Sequence, residues 1–426
     1  MYCGSCMRDN AIVAALRKLG HDALLIPLYT PLLTDEPDNS MNRIFFGGLN
    51  VYLQQKSPLF RMTPEWFERR LDNPDFIRFA TGFSIKTQPE MLGGLMISML
   101  KGEEGNQHKE LEKLIVWLKK HSKAEVLCIS NALLTGMARR LKAELKIPII
   151  CTLQGEDFFL DGLLENHRVE AWNLLRECVQ SVDGFIAVSQ YYADTMQKRL
   201  GIPSNKIHVV LNGIETQGYS ARPPAAGEGA PAPRIGFLAR MAPEKGLLTL
   251  IEAFKLLRQR GKIPGVELHV AGSMTPADRA FFDIVQSVVK RDGLSAHVKF
   301  LPNLLREDKV AFLQSLSVLS VPATYGESFG LYLLEALACG VPFVQPDHGP
   351  FPEILAATGG GVLCKPNDPL DLAEKLEELL LDEPRRRELG AGGRRNVLAK
   401  FNIERVARGV AEVFESHIIT GAGHGQ

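Results

Sequence analysis

A chain of 426 residues, 45% of them hydrophobic, is long enough to close two cores, and its length predicts two domains. Lysine plus arginine and aspartate plus glutamate both number 49, so no global field draws nucleic acid or an anionic membrane to the protein, and any basic site must be local. Seven scattered cysteines read as reduced thiols rather than a disulfide framework, and with neither a leader-like segment nor a membrane-spanning apolar run, the expected location is the cytoplasm.

The chain opens on Met1-Tyr-Cys-Gly-Ser-Cys-Met-Arg-Asp-Asn10, read as a loop entering a helix in which Ile12, Ala15, Leu16 and Leu19 share a face and which Gly20 ends. Cys3 and Cys6 have the Cys-x-x-Cys spacing of thiol oxidoreductases ahead of a helix start, which would lower a thiol pKa. The strand that a thioredoxin unit needs before this pair and the second pair that a closed zinc site needs are both lacking, so the loop reading is preferred and no metal is expected.

His21 to Tyr29 reads as a strand, and 30–48 as a polar loop with prolines and glycines. The stretch 51–101 carries Tyr52, Phe60, Trp66, Phe67, Phe76, Phe79 and Phe83; a small helical satellite core is the preferred reading, an aromatic clamp for an acceptor the alternative. On Glu110 to Lys120, residues Leu111, Leu114, Ile115 and Leu118 form an apolar face edged by lysines, suited to packing on a sheet or, alternatively, to lying on a membrane surface.

Val126–Asn131 and Ile147–Asp157 read as strands running into polar loops, which puts Asn131, Gln154, Glu156 and Asp157 at the carboxyl ends of a sheet, where open α/β sheets bind ligands. Gly184–Ser189 and Ile207–Ile214 read as further strands around a helix, and 218–233, rich in proline and glycine, as an interdomain linker.

The second domain starts with the strand Arg234-Ile-Gly-Phe-Leu, a loop bearing Arg240 and Lys245, and an amphipathic helix; two cations beside helix-start amides suit a diphosphate without a metal. Further strands alternate with helices. Val321 to Pro346 then reads as strand end, loop, helix and strand, with Glu327 in the loop, Glu335 on the helix about two turns later, and Gly330 at a helix start able to admit an anion.

The segment Glu327-Ser-Phe-Gly-Leu-Tyr-Leu-Leu-Glu335 followed by Ala-Leu-Ala-Cys-Gly-Val-Pro resembles the Glu-x7-Glu signature of retaining GT-B glycosyltransferases of family 4, and the likeness extends over nearly the whole chain, more sharply after Gly184. It implies two Rossmann-like domains, residues 1–217 on the acceptor side and 234–401 on the donor side, with the final helix 402–418 packing back on the first. Carried over residue by residue, it implies that Glu327 contacts sugar hydroxyls, that the amides of Phe329, Gly330 and Leu331 hold sugar and phosphate, and that Glu335 binds the ribose. It gives Arg240 and Lys245 the leaving diphosphate, places Gly236 and Asn212 in the donor site, and places Gly4, Ser5, Gln154, Glu156 and Asp157 on the acceptor side of the cleft. Gln154 stands where the family has histidine; it hydrogen-bonds but takes no proton, leaving Glu156 and Asp157 as the nearest ionisable substitutes. Ala323 stands where the family often has serine. Residues 3–10 resemble the Gly-rich loop that follows the first GT-B strand, so the resemblance further implies a natural start upstream of Met1.

The expected function is therefore retaining transfer of a sugar from a nucleoside diphosphate to an unknown acceptor, with no cofactor and no nucleic-acid partner. A nucleotide-sugar epimerase and a non-catalytic nucleotide-sugar-binding protein are the alternatives.

Overall fold

The computed structural model of the chain describes residues 4–29, 31–32, 34, 36–57, 60, 89–221 and 232–422. Cys3, the aromatic residues Trp66, Phe67, Phe76, Phe79 and Phe83, and most of the expected linker lie outside the described residues. The chain divides into two compact units: Ser5–Leu211 together with the chain from Val406 onward, and Asn212–Arg405.

In the first unit four parallel strands, β1 (Leu127–Ile129), β2 (Ile149–Leu153), β3 (Gly184–Ala187) and β4 (Ile207–Val209), lie side by side in sequence order. β2 and β3 are buried along their whole length, as continuous apolar runs in a sheet covered on both faces should be. The helix His108–His121 places Leu111, Leu114, Ile115 and Leu118 in this core, so core packing occupies the apolar face. Its lysines turn outward, Lys113 to Glu110 at 2.8 Å and Lys119 to Glu144.

Two local expectations are corrected here. Residues from Gly4 to Asn10 are not a loop but the first turns of the helix Gly4–Lys18. They contain no proline or later glycine to break it, and the Asn10 side chain finds its partners outside the helix, donating to Pro37 O (3.0 Å) and accepting from the Asn39 amide (2.8 Å). Among the described residues, the segment 21–29 forms only single bridges, Leu25 with Ser40 and Leu28 with Phe45, because Pro27 has no N–H to extend the ladder and Tyr29 turns to φ +69°.

The second unit holds six parallel strands: β5 (Arg234–Leu238), β6 (Glu267–Gly272), β7 (Val298–Pro302), β8 (Val318–Leu319), β9 (Phe343–Pro346) and β10 (Gly361–Cys364). They are arranged β10-β9-β8-β5-β6-β7. The chain builds outward from β5 through β6 to β7, then returns to β8 on the other side of β5, so the strand order reverses between β5 and β8. That reversal opens a crevice at the strands' carboxyl ends. β8 is short because Val321 leaves the ladder: its amide donates to Gln345 Oε1 (2.8 Å) and its carbonyl accepts from Gln345 Nε2 (3.0 Å). Gly236 lies inside β5, fully surrounded, where a Cβ would come within 2.1 Å of Leu316 Cδ1. Ile214 bridges Asn402, which attaches the segment that follows Asn212 to this unit.

Candidate functional site

The loops that leave β5 and β8 meet at the reversal. Gly246, at φ +74°, would place a Cβ 1.8 Å from the Pro322 carbonyl oxygen, and the Thr324 amide donates to Glu244 O at 2.9 Å, so the two loops touch backbone to backbone. This contact sets Lys245 opposite Glu327.

Lys245 Nζ donates to Glu327 Oε1 at 2.8 Å and to the Tyr325 hydroxyl at 3.1 Å. Burial by itself would lower the pKa of this ammonium, but the Glu327 carboxylate and Tyr325 outweigh it and hold the lysine charged well above its ordinary range. Tyr332, on the helix Leu331–Ala338, also donates to Glu327 Oε1 (3.2 Å) and lies 3.4 Å from Gln345 Nε2; burial and then the Glu327 charge push its hydroxyl pKa far up, so it stays a donor. Arg240, half exposed, pairs with Glu244 and stands 4.0 Å from Asp278 Oδ1.

Gly330 precedes the Leu331 helix at φ +113°, a backbone that glycine adopts without strain, and among the described residues no side chain caps the helix-start amides. Phe329 is buried toward Phe401, with ring centroids 6.4 Å apart. His348 Nε2 donates to the Ala323 carbonyl at 3.0 Å, which braces the loop at the position lacking a hydroxyl.

Glu335 lies one turn into the Leu331 helix, and its Oε1 accepts from Lys309 Nζ (2.8 Å) and from the Tyr219 hydroxyl (2.7 Å). Tyr219 belongs to the segment read as linker; the Arg306 guanidinium lies 5.3 Å from its ring centroid, and Arg394 donates to its carbonyl at 3.3 Å. Arg240, Lys245, Glu327, Phe329, Gly330, Leu331 and Glu335 thus share the carboxyl-end face of this unit. Gly236 instead serves packing within β5, and Asn212 is buried at the unit's first residue.

With this geometry in hand, similarity to known proteins is decisive. Residues 224–396 match the family described as glycosyl transferases group 1, and residues 100–217 the family described as glycosyltransferase family 4. Residues 224–396 thus form a group 1 glycosyl transferase domain, preceded by a family 4 segment. Among the relatives of the chain are an uncharacterized glycosyltransferase of Methanocaldococcus jannaschii, 28% identical over 65% of this chain and 70% of that one, and the N-acetyl-alpha-D-glucosaminyl L-malate synthase of Bacillus anthracis, 27% identical over the same shares. A third, the D-inositol 3-phosphate glycosyltransferase of Salinispora arenicola, is 30% identical, and the chain spans only 56% of its length and 56% of its own. Among solved structures, Anabaena HepE in complex with UDP-glucose superposes with a TM-score of 0.64 at 17% identity, over 92% of this chain and 99% of that one. Sucrose-phosphate synthase from Thermosynechococcus elongatus gives 0.63 at 20%, over 74% and 79%. These neighbours share the fold: the two parallel sheets are those of a GT-B protein.

In the unit with β1–β4, Gln154 and Glu156 follow β2 as expected, but the structure gives them different work. Glu156 is a buried anchor: Oε1 accepts from the Ala132 amide (2.9 Å), and Oε2 from the Gln154 and Gly155 amides (2.9 and 3.0 Å) and the Tyr192 hydroxyl (2.8 Å). Burial nevertheless raises its pKa. Asp157 shares the Tyr192 hydroxyl (2.9 Å) and stands 3.8 Å from Arg199. The carboxylate beside Gln154 is Asp9, on the opening helix, where Ser130 and Gln154 side chains hydrogen-bond to it and Arg8 donates at 2.8 Å. Burial, ahead of these partners, raises its pKa. Gly4 and Ser5 lie one and two helical positions into the same helix, away from a loop conformation.

Sequence reasoning passed over Asp9, Tyr219, Lys309, Tyr332 and Gln345. Gln345 carried a signal, a polar residue in an otherwise apolar strand; Tyr219 carried none, since its partner is 116 residues away.

Proposed function

We propose that this protein transfers a sugar from a nucleoside diphosphate to an acceptor hydroxyl with retention of configuration. The observation that carries this reading is the reversal between β5 and β8, which brings Arg240 and Lys245 from one loop to the same face as Glu327 from the other. In this reading Arg240, Lys245 and the helix-start amides at Phe329 to Leu331 stabilise the departing diphosphate, Glu327 orients the sugar, and Glu335 holds the ribose. No metal or other cofactor is required, because two cations and oriented amides spread the developing charge. The HepE neighbour's complex with UDP-glucose supports a UDP-sugar as the first donor to test. Asp9 and Gln154 supply the polar groups for the acceptor side.

No described helix is long and apolar enough to cross a membrane, and Cys128, Cys151, Cys178, Cys339 and Cys364 are free thiols, which supports work in the cytoplasm. The test is a thermal-shift panel with UDP-, GDP-, ADP- and TDP-linked sugars on the native protein and on Glu335→Ala. A base-specific shift in the native protein that the variant lacks supports the donor site; a panel without any shift, or one identical in both proteins, refutes it.

A further inference from the structure

Among the described residues, every hydrogen bond to the Glu327 and Glu335 side chains ends on Oε1, and each carboxylate receives one lysine and one tyrosine there. For Glu327 these are Lys245 and Tyr332; for Glu335 they are Lys309 and Tyr219. The four donors come from four separate stretches of the chain: the loop after β5, the helix carrying Glu335 itself, the helix Arg306–Ser315 and the segment before residue 222. Both carboxylates are mostly buried, with 7% and 13% of their side-chain surface exposed.

A carboxylate has about four lone-pair sites on two oxygens. Two donors converging on one oxygen from different directions stop rotation about the terminal bond and neutralise much of the charge, while the second oxygen keeps its acceptor capacity for a ligand. We infer that Tyr332 and Tyr219 are positioning residues that divide donor recognition into two independently tuned halves: Tyr332 fixes Glu327 so that Oε2 meets the sugar, and Tyr219, with Lys309, fixes Glu335 so that Oε2 meets the ribose. Tyr332 is itself held by Gln345, which is locked to both the amide and the carbonyl of Val321, so the sugar-side carboxylate is braced to the sheet. Among the described residues Glu335 has no such link to the sheet; one of its two braces, Tyr219, comes from the opening segment of the same unit, ahead of β5. This inference rests on the donor-site reading proposed above.

Titration calorimetry with UDP and with UDP-glucose separates the two halves. Removing the Tyr219 hydroxyl (Tyr219→Phe) is expected to weaken both ligands by about the same factor, about tenfold, because both carry the ribose. Tyr332→Phe is expected to leave UDP within about twofold of the native affinity and to weaken UDP-glucose by about tenfold. Lys309→Gln, which touches the same oxygen as Tyr219, should reproduce the Tyr219→Phe pattern and serves as the second variant if Tyr219→Phe does not fold. A merely structural role for the tyrosines would lower the melting temperature without splitting the two affinities. The inference is overturned if Tyr332→Phe weakens UDP and UDP-glucose equally, or if the three variants bind both ligands as the native protein does. A native protein that binds neither ligand, nor any nucleotide of the panel above, overturns the donor-site reading itself and the inference with it.

Discussion

Lys245 Nζ stands 2.8 Å from Glu327 Oε1 across two loops that are 82 residues apart in sequence, and the carboxylate is the main compensation for the lysine's burial. Removing the lysine alone strands a carboxylate that retains 7% side-chain exposure. Lys245→Ala is expected to cost about 3–5 kcal/mol in urea unfolding. In the double variant with Glu327→Ala the loss should fall short of the sum of the single losses by about 1 kcal/mol or more. Strict additivity would contradict the pairing.

The same contact sets a pH dependence. The folded-state pKa of Lys245 is raised above its ordinary value, so the pair's contribution is complete below about pH 10 and disappears only as pH climbs through the folded value. The stability gap between native protein and Lys245→Ala should therefore be flat from about pH 6 to about pH 9. Urea melts across that range check it, and a gap closing near neutrality would be inconsistent with a charged lysine.

Asp9 should behave in the opposite sense. Burial raises its folded pKa, so the folded state binds more protons than the unfolded one, and stability falls as pH rises above the ordinary carboxyl value of about 4. The stability of the native protein relative to Asp9→Asn is expected to fall as pH rises from about 4 toward 8, because only the native protein carries a group that folding disfavours ionising. Melting curves over a pH series decide it.

Arg240 has 43% of its side-chain surface exposed and pairs only with neighbouring carboxylates, so its loss should hardly touch folding. Arg240→Ala is expected to shift stability by less than about 1 kcal/mol while slowing transfer about a hundredfold to a thousandfold. Parallel unfolding and turnover measurements would expose any link between the two.

Gly236 and Gly246 differ in what a methyl group would strike. At Gly236 it meets the movable end of Leu316, so Gly236→Ala should lose stability that Leu316→Ala partly restores. At Gly246 it meets the Pro322 backbone oxygen at 1.8 Å, with φ already at +74°, and no side-chain change can relieve it. Comparing Gly236→Ala/Leu316→Ala with Gly246→Ala in donor binding tests whether Gly236 acts through packing alone.

The sequence by itself determined the alternation of buried strands and amphipathic helices, the loop and helix positions of Glu327 and Glu335, and the cationic loop after β5. These features are local: residue period, helix starts and the spacing of charges survive in one dimension. It misread the opening turns and the segment 21–29, where an unbroken helix pattern and a proline without an N–H outweighed the loop and strand signals. Only the tertiary structure decided which groups hold the glutamates, because Lys245, Lys309 and Tyr219 arrive from 82, 26 and 116 residues away, and no spacing rule connects them. It also decided that Glu156 is an anchor saturated by four donors and that Asp9 is the acid beside Gln154, since the burial and hydrogen bonds that set a carboxylate's behaviour exist only once distant segments share one site.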